Sequence, residues 1–145
     1  MKISKKGIDM LKKFEGLRLQ AYFCAGNVWT IGWGATQFYG NKVKEGDVIS
    51  IECAEELLFH NIQKFENLVN EKINVNISQN QFDALVLHSF NTGGSDTLFD
   101  LINKRESLEK IREWIEHTYI TANGIILNGL IDRRKKEANL YCSNS

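Results

Sequence analysis

The stretch "EGLRLQAYFCAGNVWTIGWG", residues 15–34, decides how the rest of the chain is read. It sets Glu15 beside Gly16, Cys24 beside Ala25, and Thr30 among Trp29, Ile31 and Gly32. Before it, Ile3, Ile8, Leu11 and Phe14 recur at a helical spacing behind Ser4, which predicts an amphipathic helix over 4–14 capped by Ser4. Gly16 takes the place of a C-cap glycine, so Glu15 falls at the helix end, where the helix dipole disfavours its charged form. Beyond Gly16 the period shortens: Leu17, Leu19 and Ala21 alternate with Arg18, Gln20 and Tyr22. Residues 27–33 are rich in strand formers, and Gly26-Asn27, Gly32, Gly34 and Gly40-Asn41 punctuate the segment. The expectation is a small antiparallel sheet of two or three strands, too little to stand alone in water without a helical partner.

Working outward, "SIECAEELLFHNIQKFENLVNEKI" predicts a long helix with Ser50 as cap, Glu52 and Glu55 in its first turns and an apolar stripe through Ala54, Leu57, Leu58, Ile62 and Phe65. Ser78 and Gln81 are spaced as a capping box, and Ile77 and Phe82 as a hydrophobic staple. That helix runs through Leu85, Val86 and Phe90 and stops before Gly93-Gly94. A short helix near 96–103 follows, then one over about 107–118 through Leu108, Ile111, Trp114 and Ile115. Asn123-Gly124 and Asn128-Gly129 read as turns, and a final helix is expected over about 129–141. With no proline, caps and glycines must end every element. The fold class is α+β, mostly helical, with a sheet near the front.

The chain has 145 residues, enough for one domain's core or for two lobes sharing a helix. Its 18 basic and 18 acidic residues cancel, so net charge supplies no attraction to nucleic acid or an anionic membrane. The charges are unevenly spread: the middle third is acidic and both ends are basic. No apolar run reaches the length of a membrane span. Asp9, Lys12 and Lys13 interrupt what would be a signal-peptide core, which points to synthesis in the cytoplasm. Three cysteines, Cys24, Cys53 and Cys142, form neither a disulfide scaffold nor a close metal pair. His60 and His88 are scattered and read as satisfied or surface side chains, so neither a metal nor another cofactor is implied.

Glu15, Cys24 and Thr30 come from a helix end and the sheet that follows, over distances at which a chain turns back on itself. Their local pattern alone is also that of a hairpin with a buried small thiol. Where they converge, their chemistry divides: a protonated glutamate donates to a leaving oxygen, and a threonine hydroxyl holds a water. An ordinary thiol, with a pKa of about 8.5, is only a few per cent ionised at neutral pH, and a nearby carboxylate lowers that fraction. On this reading Cys24 is a poor obligatory base, though it can still orient a water.

The same stretch resembles the catalytic signature of phage-type lysozymes, the endolysin muramidases. That signature is a Glu in "EGLRLxAY", eight residues, an Asp or Cys, five residues, and a Thr in "WTIGYG"; Glu15, Cys24 and Thr30 fall in register with it. "SQNQFDALVLHSFNTGG" (78–94) and "LNGLIDRRKKEANLY" (127–141) are similar to the family's later segments, in the expected order.

The resemblance implies a single lysozyme-like domain over 1–145. Its small antiparallel sheet lobe spans about 15–50, and a linking helix about 51–70. A larger helical lobe spans about 71–145 plus the N-terminal helix. It further implies hydrolysis of the β-1,4 bond between N-acetylmuramic acid and N-acetylglucosamine in peptidoglycan. Glu15 would be the general acid, with Cys24 and Thr30 on the side of the attacking water and Arg133 supporting the acid. Trp29, Trp33 and Asn91 would border the cleft that receives the glycan strand. The implied protein is a monomer acting on the cell wall after release. Two departures stand out: a thiol at Cys24 where many relatives carry a carboxylate, and Ala35 where "GYGH" has histidine. They leave open a non-catalytic glycan-binding or scaffold protein on the same fold and, more distantly, a thiol-dependent peptidase acting on peptidoglycan.

Overall fold

Ser4 caps the first helix as its position predicts. Its hydroxyl accepts from the Gly7 amide at 3.1 Å, and α1 runs over Lys5–Glu15. Gly16 ends it in the left-handed region at φ 67°, with its amide on the Lys12 carbonyl at 2.9 Å. The computed structural model describes residues 1–24 and 26–144; Ala25 and Ser145 lie outside the described residues. Two compact units divide the chain, Asp9–Lys64 and Met1–Ile8 with Phe65–Ser145, the boundaries falling inside α1 and inside the long helix α2 (Ile51–Lys72).

In the first unit, β1 (Arg18–Phe23) pairs antiparallel with β2 (Trp29–Gly32), and β3 (Gln37–Phe38) with β4 (Asn41–Lys42). These are separate two-stranded ladders rather than the one sheet of two or three strands expected. The reason lies in β1, whose register slips between Arg18↔Gly32 and Tyr22↔Thr30. The bulged residues turn to the 47–49 segment, with Ala21 bonded to the Asp47 carbonyl at 2.8 Å and Ile49 to the Leu19 carbonyl at 2.9 Å. Ile31, Trp33, Ala35, Val43 and Ile49 are buried, as are Ala54, Leu57 and Leu58 of α2, and Ile49 and Ala54 both lie against Gly32. Ser50 caps α2 through the Cys53 amide at 3.1 Å. α2 thus supplies the helical partner that strands this short require.

The second unit is built on α3 (Gln79–Thr92), whose capping box of Ser78 and Gln81 is fully formed. Phe82, Ala84, Leu85, Val86 and Leu87 are all buried, which marks a central helix rather than one with a single apolar stripe. α6 (Asn128–Cys142) packs on α3 and on α5 (Leu108–His117), and α4 (Asp96–Asn103) packs on α5. Buried carboxylates fasten the leading segment to this unit: Asp83 accepts from the Ser4 amide and hydroxyl, and Glu66 from the Ile3 amide at 2.7 Å. No described helix is long and apolar enough to cross a membrane.

Three expectations need correcting here. Asn123-Gly124 is more than a turn: with φ of 53° and 78° it closes a hairpin of β5 (Thr121–Ala122) and β6 (Ile125–Ile126). Asn128-Gly129 is not a turn, because α6 starts at Asn128. His88 is neither on the surface nor satisfied, since it is 1% exposed and its Nε2 has no partner.

His88 sits beside Trp114 and Tyr119, with Thr92 near its Nδ1, and burial and then the charges of Arg134 and Arg133 push its pKa down to about 3. The unfolded chain, with histidine at about 6.5, takes up the proton first on acidification. The stability contributed by neutral His88 is therefore complete above about pH 6.5 and is lost as pH falls toward 3, at roughly 1.4 kcal/mol per pH unit. Denaturant midpoints between pH 6.5 and 5, above the main carboxylate range, should fall for the wild type. For His88→Leu they should stay nearly level over the same window.

Candidate active site

Glu15, the last residue of α1, is half-buried, and its carboxylate lies against the backbone just after β2. A Cβ built on Gly34 would sit 3.4 Å from Glu15 Oε1, and Gly34 adopts φ 82°. The positive φ favours glycine here, and the spacing is ordinary contact that sets the Glu15 carboxylate beside the "GWG" turn at the end of the strand that carries Thr30. Between those glycines, Trp33 is 8% exposed, with the Lys12 ammonium 4.7 Å from its ring centre. Lys12 also pairs with Glu55 at 2.8 Å, which ties α1 to α2 within this unit. Ala35, in the place of the histidine, is buried and exchanges both backbone hydrogen bonds with Ile31 at 2.8 Å, which keeps the turn tight.

Cys24 and Thr30 face each other across the β1–β2 connection. The Cys24 amide bonds to the Val28 carbonyl at 3.0 Å, and Asn27, at φ 60°, returns its amide to the Cys24 carbonyl at 2.9 Å. Thr30 is buried and its hydroxyl reaches the Val28 carbonyl at 3.0 Å. Its influence is the largest of those lowering the Cys24 pKa, followed by the Val28 backbone. This reverses the expected direction, because stabilisation of the thiolate by these polar neighbours outweighs burial.

Tyr22 connects these groups. It is the cross-strand partner of Thr30, and the Arg18 guanidinium lies 5.1 Å from its ring centre. Burial raises its phenol pKa, and the negative charges of Cys24 and Glu15 raise it further. Both groups are thus close enough to act on one phenol, which keeps its proton. Trp29 stacks at a tilt on exposed Phe23, ring centres 5.3 Å apart, immediately next to Thr30. Within one unit the fold therefore gathers Glu15, Tyr22, Cys24 and Thr30, with an aromatic pair at the edge and Trp33 packed beneath.

Arg133 and Asn91 belong to the second unit. Arg133 donates to Glu137 at 3.0 Å and to the Leu87 carbonyl at 3.0 Å. Arg134 is fully buried: it donates to Glu137, to the Tyr119 carbonyl and to Asn91. Burial raises the carboxyl pKa of Glu137, and the two guanidiniums oppose that. The Arg-Arg-Lys-Lys-Glu spacing carries the signal for this cluster, because i,i+3 and i,i+4 positions share a helix face. Among the described residues no group of three His, Cys, Asp or Glu is arranged to hold a metal ion.

The sequence model of the family described as phage lysozyme matches residues 12–137. The endolysin of Bacillus phage B103 is 37% identical over 147 residues, covering 97% of this chain and 54% of its own length. The endolysin of Acyrthosiphon pisum secondary endosymbiont phage 1 is also 37% identical, over 97% of this chain and 98% of its own length. The chain thus spans about half the length of the Bacillus phage relative and nearly all of the endosymbiont one. The solved endolysin from Escherichia coli O157:H7 phage FAHEc1 superposes with a TM-score of 0.88 at 36% identity, over 98% of this chain and 94% of that one. The chain belongs to the phage lysozyme family, with that family's α+β fold.

Proposed function

We propose that the chain is a single catalytic domain of the endolysin type, hydrolysing the β-1,4 bond between N-acetylmuramic acid and N-acetylglucosamine in peptidoglycan. It is made in the host cytoplasm and acts on the wall after release. The observation carrying this reading is the placement of the Glu15 carboxylate, at the α1 terminus, against Gly34 just after the strand that bears Thr30, whose hydroxyl shares the Val28 carbonyl with the Cys24 amide. Glu15 gives its proton to the departing sugar oxygen. Cys24, as thiolate, takes a proton from a water that the Thr30 hydroxyl helps hold, and that water attacks the anomeric carbon from the opposite face. Trp29 and Phe23 offer an apolar face to a pyranose ring. Arg133 is a supporting residue, fixed by Glu137 and the Leu87 carbonyl.

The products identify the reaction. Reduction of the released fragments with borohydride should yield muramitol. Glucosaminitol would make the enzyme a glucosaminidase, and new amino groups without new reducing ends would make it a peptidase.

The acid–base pair has a kinetic consequence. The working state needs Glu15 protonated and Cys24 ionised, yet an ordinary carboxylic acid (about 4.3) loses its proton well below an ordinary thiol (about 8.5). Ordinary values would leave the competent pair a minority state, and the lowering of the Cys24 pKa works against that. Cys24→Asp places the base in the ordinary carboxylate range. It should raise the rate at pH 5–6 by roughly tenfold and move the optimum to lower pH. Cys24→Ser should lower the rate at all pH values. A full pH–rate profile of the three proteins checks this.

A further inference from the structure

α2 carries a second group of functional side chains on the face that meets the β3–β4 hairpin. A cavity of about 370 Å³ there is lined by Tyr39, Gly40, Glu56, Leu57 and His60, all within the Asp9–Lys64 unit. Tyr39 is held at φ 49°, a conformation that a bulky side chain adopts only under constraint, and Phe38 meets its ring edge-on at 5.9 Å. The constraint is visible: the Tyr39 hydroxyl donates to Glu56 Oε2 at 3.2 Å and contacts Cys53 Sγ at 3.6 Å. Those partners push its pKa up to about 12, so the phenol remains a donor.

The polar side chains of this cavity are the Tyr39 phenol, the Glu56 carboxylate and the His60 imidazole, all exposed at its mouth. Glu56 has one oxygen occupied by Tyr39, and no cation among the described residues pairs with it, whereas neighbouring Glu55 is paired with Lys12. His60 stands one turn further along α2. Among the described lining residues Glu56 is the one acid and none is Lys or Arg, which favours a cationic ligand. A carboxylate beside an aromatic ring, with Leu57 as an apolar floor, matches a primary ammonium at the end of an aliphatic chain.

We propose that this cavity is a binding site for an alkylammonium group, supplied by the free side-chain amine of a diamino acid in a peptidoglycan stem peptide. Glu56 takes the charge, the Tyr39 ring and Leu57 take the methylenes, and the site lies apart from Glu15, Cys24 and Thr30 in the sequence. The source of the amine rests on the muramidase reading; the ammonium site does not.

The test is an NMR titration of the full chain with Nα-acetyl-lysine methylamide, followed at the rings of Tyr39 and His60. Saturable shifts are expected, at least fivefold weaker with the Nε-acetylated compound and at least fivefold weaker in Glu56→Gln. No saturable shift, equal response to the acetylated compound, or shifts produced only by N-acetylglucosamine oligomers would overturn the site. Because this arm reads binding alone, it gives its answer whether or not the chain cleaves glycan. A second arm compares native peptidoglycan with peptidoglycan whose stem amines have been acetylated. Glu56→Gln should raise KM on the native wall and leave it unchanged on the acetylated one. Equal KM changes on both walls would overturn the stem peptide as the source of the amine.

Discussion

Glu137→Ala is expected to lower stability by about 3–5 kcal/mol, among the largest effects of any single substitution in this chain. Glu137 is fully buried and is the shared acceptor of Arg133 and Arg134, themselves 7% and 0% exposed. Removing it takes away the buried carboxylate that both guanidiniums share, so their desolvation is offset by less than before. The melting temperature should fall by roughly 10 °C or more. Asp132→Ala is the control: it removes the exposed Asp132–Lys136 pair, 3.1 Å apart on the same helix, and should change stability by less than about 1 kcal/mol. Equal losses in the two variants would mean that the buried cluster does not hold α6 to α3.

Glu15→Gln should lower glycan cleavage by about 10²- to 10⁴-fold, the range over which a positioned general acid acts. Glutamine keeps the shape of the side chain and fits the same space against Gly34, but it has no acidic proton to give the leaving oxygen. The substitution falls on a half-buried residue at a helix end already capped by Gly16, and rates are compared at a temperature where thermal unfolding shows both proteins folded. The drop in rate would then report chemistry rather than folding.

Much of the fold was legible because its signals are local. Ser4, Ser50 and Ser78 each announce a helix through a cap, and Gly16 and Gly93 each end one in the left-handed conformation. The β5–β6 hairpin was read only as a turn because its strands are two residues long, too short for alternation to register. The split of the front sheet was hidden for a related reason: a bulge is set by what the strand can pair with, and the 47–49 segment is distant in sequence. In the candidate site, the local pattern left a hairpin with a buried thiol open, and the resemblance to the phage-type lysozyme signature singled out Glu15, Cys24 and Thr30. The direction of the thiol's pKa did not follow from them, since it depends on which way one hydroxyl faces. The burial of Arg134 is not legible from a run of four basic residues, because it depends on Glu137 lying on the same helix face.

The central claim is that Glu15 acts as a general acid in glycosidic cleavage. The most direct measurement is the release of new reducing ends from purified peptidoglycan between pH 5 and 8, by the wild type beside folded Glu15→Gln. Steady release by the wild type, with Glu15→Gln at least a hundredfold slower, is the predicted result. Release by Glu15→Gln at the wild-type rate, or no release by folded wild type anywhere in that range, would contradict it.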